Sequence, residues 1–226
     1  MNGQSGSMCG RYSFFDTDKL YERFQVTRGS EALESRYNVA PGQLMPVILD
    51  DPTRHVEVMK WGLVPYWARD EKIGYKMINA RAETVMERPA FREPFRNKRC
   101  LVPVSGFFEW QGEGKKKQPY YIHLAKEPIF ALAGLYDEWH GKEEPLRTYT
   151  IITVDANESL KSIHNRMPAI LEREQEKQWL DLDNDDYRGL LAMLTPFPSA
   201  FMKLHPVSRA VNAAKVESPD VIKPSV

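Results

Sequence analysis

The amino-acid sequence predicts an α+β domain built on a curled β-sheet with short helices around it. Three observations carry this prediction. Short apolar or β-branched runs of strand length recur along the chain, Pro and Gly punctuate them, and helical segments are fewer. With 226 residues, of which 42% are hydrophobic and 27% charged, the chain has an ordinary globular composition and can bury roughly 70% of its unfolded surface.

Apolar segments predict the strands in order along the chain. Arg54–Trp61 is an alternating segment, which is typical of a strand with one buried face. Cys100–Glu109 is an apolar run in which Pro103 and Gly106 predict a bend. The glycine- and lysine-rich segment 111–118 predicts a hairpin with an exposed tip. Further strands are predicted at Tyr120–Leu124, Ile129–Tyr136 and Thr148–Val154.

Four segments predict short helices, because apolar residues recur in them at helical spacing. They are Asp16–Phe24, Pro89–Lys98, Glu172–Leu182 and Asp185–Leu194. In the second, Arg92, Arg96 and Arg99 are spaced at i, i+4 and i+7, which predicts a basic ridge of the kind that is usually a solvated face. The last eleven residues, 216–226, predict an extended tail.

Charge and cysteine content exclude several classes of protein. The 31 Lys+Arg and 31 Asp+Glu residues give a formal net charge of +0, which argues against a protein that coats DNA non-specifically but leaves room for a local basic cleft. The apolar runs are too short for a transmembrane helix. Two cysteines, Cys9 and Cys100, predict neither a disulfide framework nor a zinc site. We therefore expect a cytoplasmic protein without a metal or other cofactor.

The first seven residues, Met1–Ser7, are small and polar and lack the basic and apolar regions of a secretory signal. We interpret them as an expression scar or a short disordered tail, with the natural start at Met8 and one domain over residues 8–226. Removal of Met8 as an initiator would then make Cys9 the N-terminal residue.

An N-terminal Cys9 would be a 1,2-aminothiol, which an internal cysteine is not. An α-amine has a pKa of about 7.7–8.0, against about 10.4 for lysine, so at pH 7 it carries roughly 10²–10³ times more of the neutral, nucleophilic form. Such an amine attacks an aldehyde to give an imine, and the neighbouring thiol can close a thiazolidine ring. By position alone, Cys9 is more often an ordinary residue at the start of a strand.

Three further polar residues stand at predicted strand ends or in Pro/Gly contexts. Asn79 precedes Arg81 by two residues, which places both side chains on one face of an extended chain. Glu109 lies in the aromatic run G-F-F-E-W, where apolar surroundings disfavour its ionised form and suit proton transfer near neutral pH. His164 lies in I-H-N-R-M-P. Taken singly, each of these residues also suits a structural role.

Arginine and tryptophan residues supply candidates for nucleic-acid contacts. Arg11, Arg81 and Arg166 each lie beside one of the polar candidates, and guanidinium groups suit phosphate recognition. Trp61 and Trp67, in W-G-L-V-P-Y-W, offer flat faces for unstacked bases. Tryptophans near Pro and Gly are, however, usually core residues.

Six ordered motifs make the sequence resemble the SRAP family, the SOS-response-associated peptidase domain proteins. They are M-C-G-R-Y from Met8, R-Y-N-V-A-P-G-Q at Arg36–Gln43, W-G-L-V-P-Y-W at Trp61–Trp67, N-A-R-A-E at Asn79–Glu83, R-C-L-V-P-V-S-G-F-F-E-W at Arg99–Trp110 and I-H-N-R-M-P at Ile163–Pro168. The resemblance extends from Met8 to about Pro219.

The resemblance implies a single α+β domain with a curved, barrel-like mixed sheet that binds single-stranded DNA. It implies a covalent thiazolidine link between the N-terminal cysteine and the ring-opened sugar of an abasic site, after removal of the preceding residues, proposed to be autocatalytic. Carried over to this chain, the catalytic residues are Cys9 as nucleophile, Asn79 orienting the amino group, Glu109 moving protons and His164 opening the sugar ring. The DNA-binding residues are Arg11, Arg81, Arg166, Trp61 and Trp67.

Other functions remain open from the sequence. One is an N-terminal-nucleophile thiol amidohydrolase or peptidase, in which the arginines bind a substrate carboxylate. Another is a non-catalytic module for single-stranded DNA. Strand cleavage by β-elimination through the imine is an addition to the main hypothesis. The expected partner is single-stranded DNA with abasic sites, bound by a monomer that is associated with the nucleoid while on DNA and has no membrane contact.

Overall fold

The computed structural model describes residues 9–27, 33–50, 52–114, 117–141 and 143–225. Within these ranges the strands are β1 (Tyr12–Phe14), β2 (Arg36–Val39), β3 (Leu44–Asp50), β4 (Arg54–Trp61), β5 (Asn79–Arg81), β6 (Arg99–Val104), β7 (Gly106–Gln111), β8 (Gln118–Leu124), β9 (Phe130–Trp139), β10 (Leu146–Asp155), β11 (Arg166–Pro168), β12 (Ile170–Leu171) and β13 (Met202–Pro206). The α-helices are α1 (Thr17–Phe24), α2 (Pro89–Asn97), α3 (Arg173–Leu180) and α4 (Tyr187–Met193). Short 3₁₀ helices lie at Glu71–Lys76, Ala82–Thr84, Ser199–Phe201, Arg209–Asn212 and Pro219–Ile222.

Five strands close into a mixed barrel. They pair in the order β10–β4–β3–β6–β9, and β9 pairs back onto β10. The β4–β10 pairing is parallel and the other four are antiparallel. All six residues of β6 are buried, because the barrel interior covers one face of this strand and helices α2 and α3 pack near the other. The short strands β5, β11 and β12 extend the barrel wall.

An antiparallel sheet continues from the barrel, with the order β13–β8–β7–β1–β2. Ser105 is the one residue between β6 in the barrel and β7 in this sheet. Its hydroxyl accepts a hydrogen bond from the backbone N–H of Phe15 at 2.9 Å. Strand β7 pairs with β1, so the first strand of the chain lies between β7 and the edge strand β2.

Gly106 is required at the first position of β7 because no side chain fits there. A Cβ atom would lie 2.4 Å from the Cζ and Oη atoms of Tyr121 and 2.7 Å from the carbonyl oxygen of Ile122. The Tyr121 side chain cannot easily move, since it is buried and its hydroxyl is hydrogen-bonded to the hydroxyl of Ser13 at 2.9 Å.

We expect Gly106→Ala to lower the free energy of unfolding by about 2–4 kcal/mol, measured by urea denaturation. A change below about 0.5 kcal/mol would contradict the close approach.

The predicted fold class is confirmed: the chain is an α+β protein with a barrel-like mixed sheet and short helices. The predicted bent run Cys100–Glu109 forms two strands, β6 and β7, that belong to different sheets. The predicted extended tail contains a 3₁₀ helix, and Pro224 bridges to Val207. The predicted N-terminal tail, residues 1–7, lies outside the described residues. No helix in the described part of the chain is long and apolar enough to cross a membrane.

Candidate active site

Cys9 and Glu109 are in direct contact at the junction of β1 and β7. Tyr12 pairs with Phe107, and the N–H of Phe108 donates to the carbonyl oxygen of Arg11 at 3.0 Å. Because β1 and β7 are antiparallel, the residues just before β1 lie alongside the later residues of β7. The backbone N–H of Cys9 donates to Oε1 of Glu109 at 2.8 Å. Cys9 is 0% exposed and Glu109 is 1% exposed, so water does not weaken this contact.

Both groups of this pair are held in their protonated forms. Burial holds the pKa of the Cys9 thiol well above its usual value, and the negative charge that Glu109 carries when it is ionised raises it further. Burial raises the pKa of Glu109 to about 8, although the N–H donors of Cys9 and Trp110 and the charge of Lys117 act in the opposite direction. At pH 7 Glu109 is therefore mostly a carboxylic acid, which can both donate and accept a proton in this pH range.

The backbone of Cys9 is in the left-handed region, with φ at 33°. This conformation is uncommon for a residue with a side chain and costs of order 1–3 kcal/mol. Its hydrogen bond to Glu109 helps to hold it there. Strained residues of this kind cluster at functional sites.

His164 lies in the turn before β11 and is half-buried. Burial lowers its pKa, and the charges of Lys117 and Arg166 lower it further, so the imidazole is neutral at pH 7. The side-chain amide of Gln111 donates to the carbonyl oxygen of Ser162 at 3.0 Å, which ties the end of β7 to this turn. The charge of Lys117 also acts to lower the pKa of both Glu109 and His164.

Asn79 and Arg81 lie on the same short strand, β5. This strand runs parallel to β10, with Asn79 beside Ile151 and Arg81 beside Thr153. Asn79 is half-buried and Arg81 is exposed. The sequence predicts that both side chains lie on one face of the strand. In the structure their environments differ, because the Asn79 side chain is partly covered and the Arg81 side chain is exposed.

Arg11 is fixed by protein acceptors close to Cys9. Its Nη1 donates to Oδ1 of Asn38 at 2.8 Å and to the carbonyl oxygen of Val211 at 2.7 Å, and its Nη2 donates to the carbonyl oxygen of Asn212 at 3.2 Å. These bonds use both hydrogens of Nη1 and one of Nη2. A phosphate contact by the remaining donors of Arg11 stays a prediction, as it does for the exposed Arg81.

The structure corrects the prediction for Arg166. Its side chain is 8% exposed and pairs with the carboxylates of Glu83 and Asp155 at 2.7 and 2.6 Å. A DNA phosphate would have to displace two carboxylates that repel it. Arg166 is therefore an internal ion-pair residue in this structure.

The two predicted stacking residues have different surroundings. Trp61 is 1% exposed, its indole N–H donates to the carbonyl oxygen of Ile78 at 2.9 Å, and its ring packs against those of Tyr12 and Tyr149. No base can reach its faces, so the prediction for Trp61 is wrong. Trp67 is 48% exposed, and its role in stacking stays a prediction.

Sequence reasoning missed several residues of this region. The hydroxyls of Tyr12 and Tyr149 lie 2.6 Å apart in the core, and Tyr12 interacts electrostatically with Cys9. No local pattern marks a pair that is 137 residues apart. Lys117 is the last of three lysines before a strand, but that pattern predicts only an exposed hairpin tip.

Among the described residues, no cluster of three or more His, Cys, Asp or Glu side chains has the arrangement of a metal site.

The fold and the buried Cys9–Glu109 pair define a candidate thiol-dependent site on a barrel domain. The family model for SOS response associated peptidase (SRAP) matches residues 8–214. The chain belongs to the SRAP family, which confirms the resemblance found in the sequence.

Relatives and solved structures agree with this membership. The chain is 44% identical to abasic site processing protein YoqW of Bacillus subtilis over 222 residues, which cover 96% of this chain and 99% of that protein. It is 35% identical to abasic site processing protein HMCES of Gallus gallus, with 83% of this chain and 66% of that protein covered. A crystal structure of a protein from Bacteroides thetaiotaomicron matches with a TM-score of 0.87 at 33% identity, covering 96% of this chain and 100% of that chain.

Proposed function

We propose that this protein processes abasic sites by binding single-stranded DNA and forming a thiazolidine link to the lesion through Cys9. The observation that carries the proposal is the 2.8 Å contact between the nitrogen of Cys9 and the buried carboxyl group of Glu109. The names of the relatives, which are abasic site processing proteins, support it. The reaction requires residue 9 to be N-terminal, since an amide nitrogen is not a nucleophile.

Glu109 lies where the chemistry needs a proton carrier. In the trimmed protein, which begins at Cys9, the carboxylate form of Glu109 takes a proton from the α-ammonium group and leaves a neutral amine. That amine adds to the aldehyde carbon of the opened sugar. The carboxyl group returns the proton to the hydroxyl of the carbinolamine, which departs as water and leaves a protonated imine. The carboxylate of Glu109 takes the N–H proton of this group, which leaves the neutral imine. The thiol then adds across the C=N bond, with sulfur bonding to carbon and the proton going to nitrogen.

Removal of the residues before Cys9 uses the same contact. When water cleaves the peptide bond between Met8 and Cys9, the departing nitrogen must gain a proton. In the untrimmed chain the protonated form of Glu109 is within hydrogen-bond distance of that nitrogen. The strained φ of Cys9 favours a step that releases the backbone at this residue. We therefore propose that the protein trims itself.

The remaining candidates act around this pair. His164 is neutral at pH 7 and can transfer a proton to open the closed sugar of the lesion. Asn79 orients the amino group from β5. Arg81 and the remaining donors of Arg11 contact phosphates, and the exposed Trp67 stacks beside the missing base. On this proposal the protein acts as a monomer on cytoplasmic DNA and is nucleoid-associated while bound.

Intact-protein mass spectrometry with an abasic single-stranded oligonucleotide tests the proposal. Three proteins are compared: the untrimmed chain held at low temperature, the trimmed protein, and the trimmed Cys9→Ser variant. We expect a stable mass increase of one oligonucleotide on the trimmed protein alone. The Cys9→Ser variant keeps the amine and should form an imine that survives only after borohydride reduction.

Two outcomes would contradict the proposal. A stable adduct on the untrimmed chain would show that the aminothiol is not required. A stable adduct on the Cys9→Ser variant would show that the thiol closes no ring. A salt titration of binding to intact and abasic oligonucleotides tests the DNA-binding part of the proposal separately, because phosphate contacts give a steep loss of affinity with salt.

A further inference from the structure

The guanidinium group of Arg166 bridges two chain segments of the candidate site. Nη1 and Nη2 donate to the two carboxylate oxygens of Glu83 at 2.7 and 2.9 Å. Nη1 also donates to Asp155 at 2.6 Å, and Nη2 donates to the carbonyl oxygen of Thr153 at 2.7 Å. The carboxylate of Glu83 is thus held in the two-pronged geometry that suits a guanidinium. The hydrogen bonds from Arg166, together with its charge, hold the pKa of Glu83 below the usual range.

This bridge crosses the end of β10. Strand β5 pairs with β10 at Ile151–Thr153, and β11 pairs with β10 at Thr153–Asp155. Each of these two strands has only three residues, so its ladder supplies few hydrogen bonds. Glu83 lies in the 3₁₀ helix Ala82–Thr84 that follows β5, and Arg166 begins β11. The ion pair therefore fixes the segment that carries Asn79 relative to the segment that carries His164.

Arg166 also sets the orientation of His164. The backbone N–H of Arg166 lies 3.1 Å from Nδ1 of His164, and its carbonyl oxygen lies 3.4 Å from the same atom. The shorter contact makes Nδ1 the acceptor. The proton of the neutral ring is then on Nε2, which leaves that nitrogen as the donor.

We propose that Glu83 is a positioning residue for the reaction, acting on His164 through Arg166. Glu83 does not touch the lesion in this scheme. It holds the Arg166 guanidinium over β10, and Arg166 in turn keeps His164 in the Nε2–H form at a fixed distance from β5. The inference rests on the proposed function of His164, but its effect on the imidazole can be measured without DNA.

The first test is nitrogen-15 NMR of the histidine side chains in the untrimmed chain. His164→Gln identifies the signal of His164. We expect this signal to show the Nε2–H tautomer in the parent chain and a mixture of tautomers in Glu83→Gln, which loses the charge but keeps an amide of the same size. Glu158→Gln, which removes an exposed carboxylate from the same turn, should leave the signal unchanged.

The second test is the rate of adduct formation by the trimmed variants. We expect Glu83→Gln to be about tenfold slower, the scale on which outer hydrogen-bond partners act. The rate of Glu83→Asp, which keeps the charge, should lie between the rates of the parent and of Glu83→Gln. The rate of Glu158→Gln should match that of the parent. A parent that forms no adduct would refute the proposed function, whereas a Glu83→Gln variant with the parent's tautomer and rate would refute only this inference. Thermal unfolding of each variant shows that a slow rate is not a loss of fold.

Discussion

Replacing Glu109 with Gln should slow adduct formation by the trimmed protein by about 10²–10⁴-fold. Gln keeps an oxygen that can accept the N–H of residue 9, so the 2.8 Å contact is preserved. It cannot take a proton from the α-ammonium group or deliver one to the departing hydroxyl. The measurement is the rate of adduct appearance on denaturing gels between pH 6 and 9.

The pH dependence provides the control within this experiment. The rate of the parent should change across the range in which Glu109 and the α-amine titrate, whereas the variant should follow the α-amine alone. Added formate, a small carboxylate, should restore part of the rate if only proton transfer is lost. A Glu109→Gln rate within threefold of the parent at every pH would contradict the assigned role.

The same substitution should stabilise the untrimmed chain at alkaline pH. The pKa of Glu109 is raised from 4.5 to about 8 by burial, so between these values the folded chain binds more protons than the unfolded chain. Stability then falls as pH rises through this window, by up to about 1.4 kcal/mol per pH unit. Gln removes this loss. We expect urea denaturation to show Glu109→Gln gaining about 2–4 kcal/mol over the parent between pH 5 and pH 8.5.

If Glu109→Gln stabilises the fold at alkaline pH but slows adduct formation, then Glu109 serves the reaction and not the stability of the fold. A carboxyl group buried for structural reasons should lose stability when replaced and leave the reaction unaffected. Glu158→Gln, which changes an exposed carboxylate, is the matched control and should change neither quantity. If the stability difference between Glu109→Gln and the parent were the same at pH 5 and pH 8.5, the raised pKa would be contradicted.

The sequence predicts the strands of this fold better than their partners. Alternation and apolar runs locate β4, β6–β7, β9 and β10 to within a few residues. Closure of the barrel depends on β10 pairing with both β4 and β9, and periodicity carries no information about such distant contacts. The barrel therefore entered the prediction through the family resemblance.

The environment of Glu109 could be predicted because its cause is local. The preceding residues of G-F-F-E-W are buried strand residues and Trp110 is half-buried, and burial raises the pKa of Glu109 as the sequence predicts. Its contact with Cys9, 100 residues away, had no local signal. Trp61 and Arg166 could not be placed in this way. Residue type indicates what a side chain can bind but not whether it faces solvent, and both of these side chains are buried.

Arg99 is the residue whose loss should damage the fold most. It is 1% exposed, and its guanidinium donates to four carbonyl oxygens at the C-terminal ends of α2 and α3. The acceptors are Phe95 at 2.8 Å, Arg96 at 2.7 Å, Trp179 at 2.7 Å and Asp181. Helix ends leave such carbonyl groups without partners, and a cation there also offsets the helix dipole. The predicted basic ridge is wrong at this position, because α2 ends at Asn97 and Arg99 begins β6.

Arg99→Met should lower the free energy of unfolding by about 4–6 kcal/mol, since it leaves buried carbonyl groups unpaired while filling a similar volume. That loss is a large part of the stability of a typical domain, about 5–15 kcal/mol, so we also expect low soluble yield at 37 °C. Arg99→Lys keeps the charge with fewer donors and should lose about half as much. Arg92→Met changes an exposed arginine of α2 and should stay within about 0.5 kcal/mol of the parent. Equal urea midpoints for Arg99→Met and Arg92→Met would show that the barrel holds these helices without Arg99.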